Sequence, residues 1–193
     1  MSKRVKIMLA ITFVALVSAI VWVALSREPD PVSQGKPLSV WLKNESGTGE
    51  SGEAVRQIGT NAIPTLLRLL RVKDSALKIK LMELVQRQHI IKIEYMSADG
   101  WHYRARNAFG DLGTNAQMAV PALIKIADDN ISPISRLCAI QSVCYIGPPA
   151  REAVPSLLRW ATNADSDVRN WAKFGLRYID PQAAVKARIT NTP

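Results

Sequence analysis

The sequence predicts an all-α fold, a right-handed α-solenoid of about four helix pairs, preceded by one transmembrane helix. Three observations predict it. A short phrase is written three times, a helical spacing of small and apolar residues precedes each copy, and an uncharged apolar run lies near the N-terminus. A phrase that returns at a fixed interval marks units that bury their apolar faces only against their neighbours.

The phrase reads Ile58-Gly59-Thr60-Asn61-Ala62-Ile63-Pro64-Thr65-Leu66-Leu67, then Leu112-Gly113-Thr114-Asn115-Ala116 running on to Val120-Pro121-Ala122-Leu123-Ile124. It returns as Ile146-Gly147-Pro148-Pro149-Ala150 running on to Val154-Pro155-Ser156-Leu157-Leu158. Gly113 to Gly147 and Pro121 to Pro155 are both 34 residues, and a degenerate fourth copy opens at Ile179-Asp180-Pro181. Eight positions before Gly113, Gly147 and Asp180 stand Ala105, Ala139 and Ala172; four before stand Phe109, Val143 and Leu176. Positions eight, four and one before the glycine share one face of a helix. The glycine suits the left-handed position that ends a helix. The proline eight residues later fits the first turn of a second helix, where its missing N–H costs nothing. Leu123, Ile124 and Ile126, then Leu157, Leu158 and Trp160, supply that helix's inner stripe. Each unit therefore reads as helix, glycine stop, short turn, helix.

This pattern resembles HEAT repeats of the short bacterial kind, with an Ile/Leu-Gly, Ala, Val-Pro-x-Leu-Leu/Ile signature, over roughly residues 52 to 184. The resemblance implies an α-solenoid that acts as a binding scaffold. It also assigns Arg136 and Arg169, each eleven residues before the glycine position, to a ladder of hydrogen bonds within the repeats; His102 occupies that place before Gly113. HEAT-like enzymes with a di-iron centre need paired His-Glu motifs, and this sequence has none. HEAT-like proteins of phycobilin attachment and DNA-base excision are analogies of fold alone.

Ile7 to Leu25 is 19 residues without a charge. As a helix it spans about 28 Å, close to a hydrocarbon core of about 30 Å. Lys3, Arg4 and Lys6 precede it and favour a cytoplasmic N-terminus with an exported body. The expected division is therefore a basic flank (1–6), a transmembrane signal anchor (7–25), a linker with a capping helix (26–51) and a HEAT-like repeat domain (52–193). The expected location is a bacterial inner membrane, single-pass, with the C-terminal domain extracytoplasmic. The competing reading is a cleaved signal peptide with small-residue sites at Val17-Ser18-Ala19 or Ala24-Leu25-Ser26, which would release a secreted body.

The formal charge is +9, with 25 basic and 16 acidic residues. Lys3, Arg4, Lys6 and Arg27 flank the apolar run, so the body from Glu28 on holds the other 21 basic residues, or +5. Such an excess reads as a solvated surface, with attraction to anionic polymer or lipid headgroups through Arg56, Arg68 and Arg71 as the alternative. Arg27 to Lys36, with Pro29, Pro31 and Gly35, reads as an extended linker. Leu38, Trp41 and Leu42 then mark a short amphipathic helix that caps the first repeat, followed by a Gly/Ser/Glu loop over 44–52.

The first two phrases lie 54 residues apart rather than 34, from Gly59 to Gly113. The excess falls in Lys73 to Tyr103: a helix from Ser75 to Ile91 behind an Asp74 cap, then Tyr95-Met96-Ser97-Ala98-Asp99-Gly100-Trp101-His102-Tyr103. That second stretch reads as a loop, with a small hairpin about an Asp99-Gly100 turn as the alternative. Insertions in repeat proteins map to one face, often the binding face. Tyr95, Trp101, His102, Tyr103 and Arg104 are accordingly the candidate partner-binding residues.

No catalytic, cofactor-binding or metal-binding residues are assigned, and no cofactor is expected. The two histidines, His89 and His102, stand in no metal-ligand spacing. No phosphate loop, nucleophile elbow or carboxylate pair for acid–base work appears. Asp128-Asp129 and Asp165/Asp167 read as helix caps and turn residues. Cys138 and Cys144 lie six apart in one expected helix, about 9 Å along its axis, too far for a disulfide, and read as buried thiols. The function expected is a membrane-anchored, non-catalytic scaffold. Its concave surface, built from the second helices, holds a protein or peptide partner, and nucleic acid is not among its partners. A non-catalytic subunit of an enzyme complex is a further alternative.

Overall fold

The computed structural model describes residues 18, 29–44, 49–76, 79–80 and 95–189, and these are mostly helical. After a two-stranded ribbon (β1, Val32–Ser33; β2, Lys36–Pro37) come α1 (Leu38–Lys43), α2 (Glu50–Ile58), α3 (Ile63–Leu69), α4 (Ala98–Leu112), α5 (Val120–Asp129), α6 (Pro133–Ile146), α7 (Val154–Trp160), α8 (Ser166–Ile179) and α9 (Pro181–Lys186). Short 3-10 turns, Gly59–Ala62, Gly113–Ala119 and Pro148–Ala153, join α2 to α3, α4 to α5 and α6 to α7. The expected membrane helix over 7–25 falls almost wholly outside the described residues. So does most of the expected helix over 75–91. Among the described residues, no helix is long and apolar enough to cross a membrane.

Contacts run between neighbours in the chain. α4 packs on α2 and α3, α6 on α4 and α5, and α8 on α6 and α7, while α9 closes on α8. The core is the face that the spacing predicts. Ala105, Ala139 and Ala172 are fully buried, as are Phe109, Val143 and Leu176, with Leu112, Ile146 and Ile179 nearly so. The second helices differ in detail. Their inner residues are Leu123, Ile126 and Ala127, then Leu157, Trp160 and Ala161, whereas Ile124 is half-buried and Leu158 is exposed. A stripe at i, i+3, i+4 leaves the intervening residue at its edge.

The three glycines take positive φ, as expected, but not the left-handed helical well. Gly59 (φ 62°, ψ −140°), Gly113 (φ 51°, ψ −128°) and Gly147 (φ 77°, ψ −148°) lie in the mirror image of the β region, which is open to glycine almost alone. That well turns the chain directly into the 3-10 turn, which delivers Pro64, Pro121 and Pro155 into the first turn of the second helix.

Two expected coils are ordered structure. Within the predicted linker, Val32 pairs with Pro37 and Ser33 with Lys36, around Gln34 and Gly35 at φ 50° and 73°. Two successive positive φ values make a tight hairpin. It is held to the body by Ser33 Oγ donating to Gln57 Oε1 (2.9 Å) and by Trp41 Nε1 donating to Ser33 O (3.0 Å). The Asp99-Gly100 pair makes neither a hairpin turn nor a loop but the first turn of α4. Ser97 Oγ accepts from Gly100 N (3.1 Å), Asp74 Oδ2 accepts from Ala98 N (2.7 Å), and the Tyr95 hydroxyl donates to Asp74. A cap and an acidic first turn start a helix where composition alone reads as loop.

The acidic pairs divide. Asp165 caps α8 through Asp167 N (2.8 Å) and Val168 N (3.3 Å). Asp128 is no cap. It ties α5 to α7, accepting from Arg159 Nη2 (2.6 Å) and Trp160 Nε1 (3.0 Å). The expected ladder is partial. Arg169 donates to the turn carbonyls of Asn163 (2.8 Å) and Ala164 (3.1 Å), and His102 Nε2 donates to Val72 O (3.0 Å), also a turn carbonyl. Arg136 Nε is buried with no partner among the described residues.

Cys138 and Cys144 are free and buried on α6. Burial pushes both thiols up to about 12, with Arg106 drawing Cys138 the other way. Both values lie above the ordinary thiol value of 9.0, so the folded chain holds these protons more tightly than the unfolded one. That contribution is complete below about pH 9 and is lost as pH rises toward 12. Melts from about pH 8 to about pH 11 should show a falling Tm, and Cys138→Ala/Cys144→Ala should flatten that fall; an unchanged slope would remove the thiols from the account.

Candidate functional site

The five residues singled out by the sequence do not form one surface. Trp101 is half-buried against the core, and His102 is buried, its exposure 1%. His102 Nδ1 stands 3.5 Å from Asp99 Oδ1. Tyr103 is exposed beside the Arg106 guanidinium, 5.3 Å from the ring centre. Arg104 is half-buried on the same helix, and half-buried Tyr95 is engaged by Asp74 below it. The stretch therefore contributes its indole and imidazole to packing and presents chiefly Tyr103 to solvent.

A larger apolar surface lies at the C-terminal end. Tyr145 of α6 meets Trp171 of α8 edge-on (6.0 Å, 89°), Trp171 meets Phe174 edge-on (5.5 Å, 78°), and Phe174 stacks on Tyr178 (6.2 Å, 21°). Tyr145, Phe174 and Tyr178 are 37%, 44% and 54% exposed, while Trp171 between them is half-buried against the core. Backbone geometry sets its spacing. Trp171, Phe174 and Tyr178 stand at i, i+3 and i+7 of α8, along one side of the helix. Tyr178 lies over Gly147, where a Cβ would come within 2.9 Å of its ring, and Tyr145 lies over Gly110.

Beside the row, α8, α9 and Ile189 form an open groove of about 590 Å³, lined by Phe174, Arg177, Tyr178, Pro181, Ala184, Val185 and Ile189. Val185 is 66% exposed. The surrounding charge is of one sign. Between Trp171 and Ile189 the chain carries Lys173, Arg177, Lys186 and Arg188 against Asp180 alone, and Asp180 is engaged in capping α9 through Ala183 N (2.9 Å). At the opposite end Arg56 is paired with both Glu53 and Asp111 at 3.2 Å, which neutralises it; Arg68 and Arg71 are exposed.

The row escapes the phrase-based reading because that reading follows residues common to every copy. The position two before the glycine is Gln57, Asp111, Tyr145 and Tyr178 in turn, polar at one end and aromatic at the other. That gradient is the signal available in the sequence. It also places the exposed aromatics on the first helices, not the second.

Chemically the surface offers aromatic faces, a phenol and guanidinium and ammonium donors: a set for recognition. Among the described residues, no group of three His, Cys, Asp or Glu side chains is placed to hold a metal ion. No family model matches the chain, and neither a curated protein nor a solved structure does.

Proposed function

We propose that this chain is a non-catalytic protein-interaction scaffold: a right-handed α-solenoid of HEAT-like repeats, tethered to a bacterial inner membrane by residues 7–25, its body outside the cytoplasm. It holds a protein or peptide partner. The observation that carries this reading is the aromatic row Tyr145–Trp171–Phe174–Tyr178, three of its rings exposed around the half-buried Trp171, beside an open groove. A displayed contiguous aromatic patch with a basic rim is the composition of an interaction surface. The neighbour-to-neighbour packing and the three matching glycine conformations support the repeat reading.

The test is photo-crosslinking in intact cells. A photoreactive phenylalanine at Phe174 or Tyr178 of the full chain should trap a discrete protein, while the same group at Gln57, at the polar end, should not. Phe174→Ser/Tyr178→Ser should abolish capture by a probe at Tyr145 and shift Tm by less than about 2 °C, since the two side chains are 44% and 54% exposed. Equal labelling from all three positions, or none from any, overturns the scaffold reading. For the tether, a reporter fused after Pro193 should be active only if it works outside the cytoplasm.

A further inference from the structure

Among the described residues, each first helix after α2 sits in a seat built by the pair before it: α4 on α2 and α3, α6 on α4 and α5, α8 on α6 and α7. The residue three before each glycine faces the occupant. Arg56 reaches Asp111 of α4 at 3.2 Å, Gly110 lies under the ring of Tyr145 of α6, and Cys144 Sγ lies 3.5 Å from Trp171 O of α8. In the last pair that residue is Arg177, and the place where the next first helix belongs is the groove of about 590 Å³ between α8 and α9. We propose that this groove is the docking seat for one amphipathic α-helix of an acidic partner protein, taken up as a further first helix would be. This rests on the scaffold reading above.

Three features select that occupant. The native occupants of the seats are helices of 14 or 15 residues, so the groove matches a helix of about four turns rather than an extended strand. Lys173, Arg177, Lys186 and Arg188 make no ion pair among the described residues, and the one acid among them is a cap, so the partner's flanks are acidic. A second copy is a poor occupant, because its N-terminal helix α2 is already covered by α1, whose Leu38 and Leu42 are buried.

The experiment uses the full chain in phosphatidylcholine nanodiscs and two synthetic 15-residue helical peptides. They share leucines at i, i+3, i+4 and i+7 and differ in carrying glutamate or lysine elsewhere. By fluorescence anisotropy the glutamate peptide should bind at least about tenfold tighter than the lysine peptide, and less tightly at high salt. Arg177→Glu/Lys186→Glu should invert that preference, a gain that unfolding cannot mimic. Val185→Asp should abolish binding of both peptides with the melting curve unchanged. Equal binding of the two peptides, or a preference that survives the charge reversal, overturns the proposal. So does displacement of the glutamate peptide by phosphatidylglycerol vesicles, which would assign the surface to lipid. Self-association lost in Val185→Asp would assign it to a second copy and overturn it equally. Crosslinking from Phe174 or Tyr178 that persists in Arg177→Glu/Lys186→Glu leaves the scaffold reading standing while this one fails.

Discussion

Trp160→Ala should lower folding stability by about 3–5 kcal/mol, the largest effect expected among truncations of the described core to alanine. The indole is 1% exposed, among the largest side chains of the core. Its Nε1 donates to Asp128 Oδ1 at 3.0 Å, and Asp128 also accepts from Arg159 Nη2 at 2.6 Å. Truncation therefore empties a large volume and removes one of the two donors that join α7 to α5. At this size the loss corresponds to a fall in Tm on the order of 10 °C. Two variants separate packing from polar bonding. Trp160→Phe keeps most of the apolar volume and should cost far less than alanine. Asp128→Ala keeps the indole in place but leaves its buried N–H unpaired, at about 1–3 kcal/mol. Urea titrations that rank Asp128→Ala above Trp160→Ala would show that the bridge, rather than the buried ring, holds the two helices.

Gly147→Val should rank next. At φ 77° and ψ −148° a β-branched residue is strained by about 1–3 kcal/mol, and a Cβ there stands 2.9 Å from the Tyr178 ring, so crowding adds to strain. Gly113 isolates the first term, having the same kind of conformation with nothing within 4 Å of the added Cβ. Gly147→Ala should therefore cost more than Gly113→Ala, and the difference should vanish in a Tyr178→Ala background. Asparagine tests the conformation itself. It tolerates the left-handed helical well but not this one, so Gly113→Asn should be no milder than Gly113→Ala. Rescue by asparagine would return these glycines to ordinary left-handed helix ends. Either glycine variant should also disturb the two adjoining units more than the far ones, measurable as local loss of hydrogen-exchange protection.

The repeating elements were legible because their causes are local. Ala105, Phe109 and Leu112 lie on one helix face by spacing alone, and the same spacing in α6 and α8 identifies Ala139, Val143, Ile146, Ala172, Leu176 and Ile179, all buried in the structure. The helix stops at Gly113 and Gly147 and the prolines just inside α5 and α7 follow from single-residue chemistry in the same way. The particular glycine well was not legible, since glycine enters several wells and only the following 3-10 turn selects one. The hairpin at Gln34 and Gly35 was missed for a related reason. Its strands are two residues each, too short for periodicity, and it is held by Ser33 and Trp41 reaching across elements.

The candidate surface shows where that logic stops. Composition marks Trp101 and His102 as unusual, but whether they face solvent depends on what lies over them, and the chain places the Val72 carbonyl against His102. Asp128 reads as a turn residue until α7 brings Arg159 and Trp160 to it. The stops of the first helices and their inner faces were determined by the sequence itself, through spacings of one to eight residues. The pairing of Asp128, the half-burial of Trp101, the burial of His102, and the open groove between α8 and α9 were decided by tertiary structure. They depend on which neighbour covers a face, and at the last pair of helices the chain supplies no further first helix among its described residues.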